Sequence, residues 1–322
     1  MRGVRVLVTG GSGFIGSHLV RRLLAEKADV HTIDISDKLR SRLSDVISGL
    51  HYYNVNLTNI PALQKLVKTV EPEIVYHLGA FALLHREMQY VGESLNSNVI
   101  GTVNLLDALQ DTNFSCFVNT STYDVYGHSP PPFKEDMKLS PPSPYSASKL
   151  AAEIYCNFYH DTYNYPITTL RPSNVYGPMQ QTNRIIPEFI ASCLRGKEFV
   201  MTKGEQKREF NYVEDIVQAF IVASSNKKAV GETFNVGAGQ SYAIKEVVET
   251  ILGMFDRKIE IRTTMPYRKN EPQDMWCDNT KIRALGWSPK FSLVQGLKKT
   301  VDWYKELWKK NPRSEYFSSK KN

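Results

Sequence analysis

Tyr145 and Lys149 stand four residues apart, the spacing that puts two side chains on one face of a helix. A phenol with an ordinary pKa of about 10 is a poor base at neutral pH. A cation one turn away favours the phenolate and lowers that value. A Tyr145 so primed can take the proton of a substrate alcohol while a redox cofactor oxidises the carbon. Further upstream, Gly10-Gly11-Ser12-Gly13-Phe14-Ile15-Gly16 joins a short β-branched segment (Val4, Val6, Val8) to a helical pattern. Glycines there permit a tight turn and close approach of a pyrophosphate, and the helix N-terminus offers free N–H groups. Asp34 ends the next strand-like segment, about 18 residues after Gly16. A carboxylate at that position accepts hydrogen bonds from ribose hydroxyls and repels a 2′-phosphate, which predicts NAD over NADP. Lys38 and Arg40 stand nearby as the counter-argument.

The segments around these groups alternate between strand and helix. Strand patterns cover residues 4–8, 30–34, 52–55, 74–77, 114–119 and 167–170. Helical patterns cover residues 14–26, 61–70, 96–109 and 144–163. This rhythm predicts an α/β fold, a doubly wound parallel sheet covered on both faces. After Arg171 the rhythm loosens into shorter elements, with helical patterns at residues 185–194, 213–223, 244–254 and 293–308. The expected organisation is a Rossmann domain over residues 1–172, a smaller mixed α/β substrate domain over 173–312, and a frayed tail over 313–322. Residues 208–236 are a candidate to return to the first sheet. The segment 128–144 carries six prolines and is expected to be ordered against something else in the fold.

The 322 residues are 42% hydrophobic and 23% charged, as in ordinary globular proteins. A chain of this length buries a sizeable core without disulfides. No apolar run approaches the ~18 residues of a membrane span, and residues from Val4 onward show no signal-peptide pattern. The expected compartment is the cytoplasm. Cys116, Cys156, Cys193 and Cys277 form no CxxC pair, so they read as buried, inert thiols, and no metal site is expected. The net charge of +7 is spread along the chain, without the basic and aromatic stripe of a nucleic-acid binder. A mildly basic protein suits an anionic small substrate.

The chain resembles the extended short-chain dehydrogenase/reductase family, in its NAD-dependent nucleotide-sugar epimerase and dehydratase branch. The matching motifs run in family order over roughly residues 3–310. They are Gly10–Gly16, Asp34, His77-Leu78-Gly79-Ala80, Asn98 with Gly101-Thr102, Ser121-Thr122, Tyr145–Lys149, Arg171-Pro172, Asn174, Arg208-Glu209-Phe210 with Tyr212 and Asp215, and Arg268 with Glu271. The resemblance implies roles for these positions. Thr122 would hydrogen-bond the sugar C4 oxygen, Tyr145 would be the base, and Lys149 would hold the nicotinamide ribose. Leu78 and Ala80 would line the cofactor. Asn56-Leu57 occupies the place of an adenine contact, with Asn where the family usually has Asp. Asn174, Arg208 and Arg268 would engage the substrate diphosphate, for which the planar fork of arginine is suited. Glu271 would meet the nucleoside ribose.

Two reactions follow from this pattern, both through a 4-keto sugar. C4 epimerisation of a UDP-hexose is the first reading. A 4,6-dehydratase is the alternative, because the residues after Thr122 are Tyr123 and Asp124, where family dehydratases carry an acid and a Glu base. Asp124 would be the C5 base but is one methylene shorter. A non-catalytic NAD-binding sensor or scaffold would be expected to lose Thr122, Tyr145 or Lys149, and all three are present. The resemblance also implies a homodimer built on two helices, with Ala147, Ala151, Tyr155 and Phe158 on the outer face of the second.

Overall fold

The computed structural model describes residues 1–35, 41–82, 87–268 and 271–317. Lys38, Arg40 and residues 318–322 lie outside the described residues. The first strand, β1 (Arg5–Thr9), sends Val6 and Val8 to one face and Leu7 to the other, as the two-residue period of a strand requires. It is followed by α1 (Phe14–Ala25), β2 (Asp29–Asp34), β3 (His51–Asn54), α2 (Ile60–Val70) and β4 (Ile74–His77). Next come α3 (Val91–Ser94), a π turn (Leu95–Ile100), α4 (Gly101–Ala108), β5 (Cys116–Thr120), α5 (Pro144–Tyr163) and β6 (Ile167–Pro172).

The second half contributes β7 (Asn174–Tyr176), α6 (Ile185–Arg195), β8 (Phe199–Val200), β9 (Lys207–Tyr212), α7 (Val213–Ser225) and β10 (Thr233–Val236). It closes with β11 (Ser241–Ala243), α8 (Ile244–Gly253), β12 (Ile261–Arg262), β13 (Asp274–Met275), α9 (Thr280–Arg283) and α10 (Leu293–Lys310).

Seven strands make one parallel sheet in the order β10-β6-β5-β4-β1-β2-β3. Helices α1 and α7 bury Leu19, Leu23, Ile216 and Phe220 against one face. Helices α2, α4 and α5 bury Leu63, Val67, Leu105 and Cys156 against the other. Chain order reverses between β1 and β4, and a ligand crevice opens beyond the carboxyl ends of strands at such a switch point. Over that end lies a smaller layer in which β9 pairs with β7, β11 and β13. β10 leaves this layer and returns to the outer edge of the large sheet beside β6.

The proline-rich segment 128–144 is held by that edge. Phe133 is fully buried, its backbone pairs with Trp276 and Asp278, and its carbonyl accepts from Asn235 of β10. Residues 313–317, expected as part of a frayed tail, are packed instead. Phe317 is buried against Trp308 and Tyr304, Tyr316 stacks edge-on to Trp303, and Arg42 lies over the Tyr316 ring. Their two aromatic residues account for the difference, since each buries apolar area that a polar tail lacks. All four cysteines are free and buried, and burial pushes the thiols of Cys116, Cys156 and Cys193 up to about 12. No helix among the described residues is long and apolar enough to cross a membrane.

Candidate active site

The turn after β1 is built from glycines for local reasons. Gly10 has φ of +68°, and a Cβ on Gly16 would stand 2.1 Å from the Gly10 carbonyl oxygen. α1 can therefore start hard against the end of β1. Gly13 is the N-cap of α1, and its missing Cβ faces open space apart from the Gly10 carbonyl. Ser12 donates from both its backbone N–H and its hydroxyl to Asp34 Oδ2, so the end of β2 is locked to the turn.

Beyond the switch point lies a cleft of about 580 Å³. Gly10, Gly13, Phe14, Ile15, Gly16, Leu78 and Ala80 line one end. Thr122, Asp124, Tyr145 and Lys149 line the middle, and Asn174, Arg208 and Arg268 line the other end. Fourteen of the eighteen predicted site residues thus meet in one cavity. The other four stand outside its wall. Asp34 holds Ser12 from behind. Asn56 is exposed and accepts from the Thr58 N–H, and Leu57 is buried against Gly101. Glu271 meets the site through Arg208, with which it forms an ion pair, and through its N–H, which donates to the Arg268 carbonyl.

The reacting groups are set by two short elements. Ser143 caps α5, accepting from the Ser146 N–H at 3.1 Å, with Pro144 in the first turn, and this fixes where Tyr145 and Lys149 begin. Thr122 opens a turn after β5, accepts from the Asp124 N–H at 3.2 Å, and shares the cleft wall with the Tyr145 phenol. Asn98, in the π turn, grips Phe81 through its N–H and carbonyl and donates to Ser148 at 2.9 Å. The loop carrying Leu78 and Ala80 is thereby tied to the helix carrying Lys149.

From the sequence, Lys149 is expected to lower the Tyr145 pKa. In the chain itself the balance runs the other way. Burial, aided by the charge of Asp124, pushes the phenol up to about 12, against the opposing pull of Arg184 and Thr122. Burial also drives Lys149 down to about 8, which weakens the very charge that was to act on the phenol.

Several residues of this site were not found from sequence. Arg184 and Arg42 line the cleft. Arg42 donates to the Ser12 and Met179 carbonyls, joining the glycine turn to the chain before α6. Glu153, two turns after Tyr145, takes the guanidinium of Arg171 on β6 at 2.6 Å and also the hydroxyl of Ser121. Arg171 in turn donates to the Tyr126 phenol at 2.7 Å. This buried network clamps α5 to the sheet beside Thr122. The signal for it was faint, a charged residue on each of two segments that otherwise read as buried.

The model of the NAD-dependent epimerase/dehydratase family matches residues 6–237. The chain belongs to that family. It is an enzyme family whose cofactor is NAD, and the glycine turn and the open face of Gly13 fit that group, while the Asp34 carboxylate is taken up by Ser12 and the Ile35 N–H. A UDP-glucuronate 4-epimerase of Thermodesulfobacterium geofontis is 32% identical over 93% of this chain and 96% of its own length. A human dTDP-D-glucose 4,6-dehydratase is 32% identical over 94% of this chain and 90% of its own length. The UDP-glucuronic acid 4-epimerase of Bacillus cereus, solved with UDP-glucuronic acid and NAD, superposes with a TM-score of 0.84 at 29% identity, over 94% of this chain and 99% of that one.

Proposed function

We propose that the protein interconverts the C4 epimers of a UDP-hexose through a transient 4-keto sugar. The observation that carries this reading is that Thr122, Tyr145 and Lys149 share one cleft with the glycine turn and with Arg208 and Arg268. NAD, when bound, supplies a reversible two-electron oxidation of the sugar carbon. Thr122 orients the C4 hydroxyl toward Tyr145, which takes its proton and later returns it. Lys149 holds the cofactor side of the same face. Arg208, Arg268 and Asn174 bind the diphosphate, so the hexose end can turn over while the nucleotide end stays fixed.

Dehydration is the second reading, and Asp124 is the observation that favours it, a carboxylate lining the cleft one residue past Tyr123. That route also needs an acid near C6. The Tyr123 phenol is buried, accepts from Asn174 at 2.7 Å, and has its pKa held well above the ordinary tyrosine value, which makes it a weak acid. Similar proteins include both reaction types. Product analysis by NMR after incubation with NAD and UDP-glucose, UDP-glucuronate or dTDP-glucose tests the choice. A C4 epimer is expected, and a 4-keto-6-deoxy sugar overturns it.

We also infer a homodimer. Leu95 and Ile100 on the π turn and Ile154, Tyr155 and Phe158 on α5 are exposed together on two packed helices, alongside Ala147 and the half-buried Ala151. Two copies of such a face bury each other as a four-helix bundle. Light scattering should give twice the 36.7 kDa chain mass, and Phe158→Asp should halve it. A monomer at micromolar concentration removes the dimer.

A further inference from the structure

Asp29, His31 and His51 are far from any ligand motif in the sequence, and pairing of β2 with β3 brings them together. Residues 29 and 31 project from the same side of β2 because side chains alternate along a strand. The parallel register then sets His51 of β3 directly beside His31. One donor atom from each residue lies within 4.8 Å of the other two. Asp29 bridges the pair, with Oδ2 3.4 Å from His31 Nε2 and Oδ1 3.3 Å from His51 Nε2. Two ligands of a tetrahedral ion with bonds of about 2.0–2.1 Å stand about 3.4 Å apart, so these separations match one edge of such a polyhedron.

A second observation points to a ligand. His31 is only 8% exposed, yet its Nε2 makes no well-aligned hydrogen bond, the Asp29 carboxylate standing off at 3.4 Å. A buried polar atom held at such a long contact from a carboxylate calls for an explanation such as an ion between them. The other ring nitrogen, Nδ1, lies 3.1 Å from the Tyr53 hydroxyl. With Nδ1–H donating to that oxygen, Nε2 presents its lone pair toward Asp29. Such an outer hydrogen bond is how ligating imidazoles are oriented. The His51 ring stacks on His31 at 4.5 Å and is 59% exposed, so it is free to tilt onto an ion held by the other two. Arg5, opposite Asp29 on β1, has its Nε committed to the Glu71 carbonyl.

We propose that Asp29, His31 and His51 form a binding site for a zinc-type divalent cation, with its fourth position open to water. Two imidazoles and one carboxylate suit zinc and its neighbours, whereas magnesium and calcium prefer oxygen-only sets. The site lies at the start of β2, and the cofactor turn is held at its end by Asp34. The nearest ligand on β2, His31, is three residues from Asp34, about 10 Å along the strand. The ion therefore takes no part in the sugar chemistry. It fastens the edge strand β3 to β2.

Isothermal titration of Zn²⁺ into the NAD-loaded protein tests the site, with Mg²⁺ as the oxygen-preferring control. One zinc per chain is expected. His51→Ala removes an exposed side chain and leaves the fold and basal activity in place, and it should weaken binding at least tenfold. Asp29→Asn should do the same. Saturating zinc should raise the melting temperature of the parent protein and not that of His51→Ala. No zinc binding, zinc binding unchanged in both variants, or equal binding of Mg²⁺ overturns the proposal.

Discussion

Arg208 donates one arm of its guanidinium to the carboxylate of Glu271, 63 residues further along the chain. Both side chains are mostly buried, at 12% and 16% exposed. Two groups expected to grip different parts of one substrate thus behave as a unit, with Glu271 aiming the fork of Arg208. Arg208→Ala should raise KM for the nucleotide sugar about 10- to 100-fold, the worth of charge-assisted hydrogen bonds, with kcat changed little. Glu271→Gln should raise it less. Steady-state kinetics decides, and an unchanged KM in Arg208→Ala would take that residue out of the substrate site.

Tyr145→Phe removes the base and leaves the glycine turn intact. Turnover should fall by about 10²- to 10⁴-fold, the usual worth of a positioned proton acceptor. Co-purifying or added NAD should still bind, as judged by the absorbance of the reduced form after chemical reduction. Full activity in this variant would remove the proton-transfer assignment.

The phenol sets the rising, acid-side limb of the pH profile. Only its deprotonated form accepts a proton, so the rate should climb with pH through its pKa and then level off. Burial and Asp124 hold that value near 12 in the chain alone. The positive charge of oxidised nicotinamide should bring it down by about one unit or more. Ultraviolet difference titration of parent against Tyr145→Phe, with and without NAD, measures the change. Identical curves would mean that the cofactor does not reach the phenol.

Asp124→Asn separates the two sugar reactions. An epimerase should keep its turnover within a few-fold, and the phenol pKa should fall because a raising charge has gone. A dehydratase should lose exchange of the sugar C5 proton with solvent. Deuterium incorporation followed by NMR reads this directly.

Acid should destabilise the fold through His77. The ring is fully buried between the Thr9 and Thr102 hydroxyls, at 2.7 and 2.8 Å, and burial lowers its pKa to about 3. In the unfolded chain it titrates at about 6.5. Below that pH the unfolded state binds a proton that the native state does not, so stability drops as pH falls toward the folded value. Between pH 6.5 and 5 this amounts to about 2 kcal/mol. Denaturant titrations should show that loss for the parent and a smaller one for His77→Gln.

The sheet and the glycine turn were legible because their signals are local. The two-residue alternation of β1 and the helical pattern of α2 each sit within a dozen residues of chain. The middle of the cleft was legible for the same reason, since Tyr145 and Lys149 share one helix and Thr122 one turn. What escaped was set by pairing between distant strands and helices. Glu153 and Arg171 become partners only when α5 lies on β6. Glu209 follows Arg208 by one residue yet faces the opposite way, accepting from the Gly239 and Cys277 amides, because β9 alternates like any strand. The aromatic residues after Pro312 were invisible as structure until α10 offered them Trp303 and Trp308.

The return of β10 to the large sheet has a consequence for dissecting the molecule. A fragment cut after Pro172 would keep every element of the nucleotide turn but would bare the flank of β6, whose backbone is otherwise paired along residues 169–172. Such a raw margin recruits other copies and aggregates. The severed halves of this enzyme should therefore recover only when made together, each completing the other.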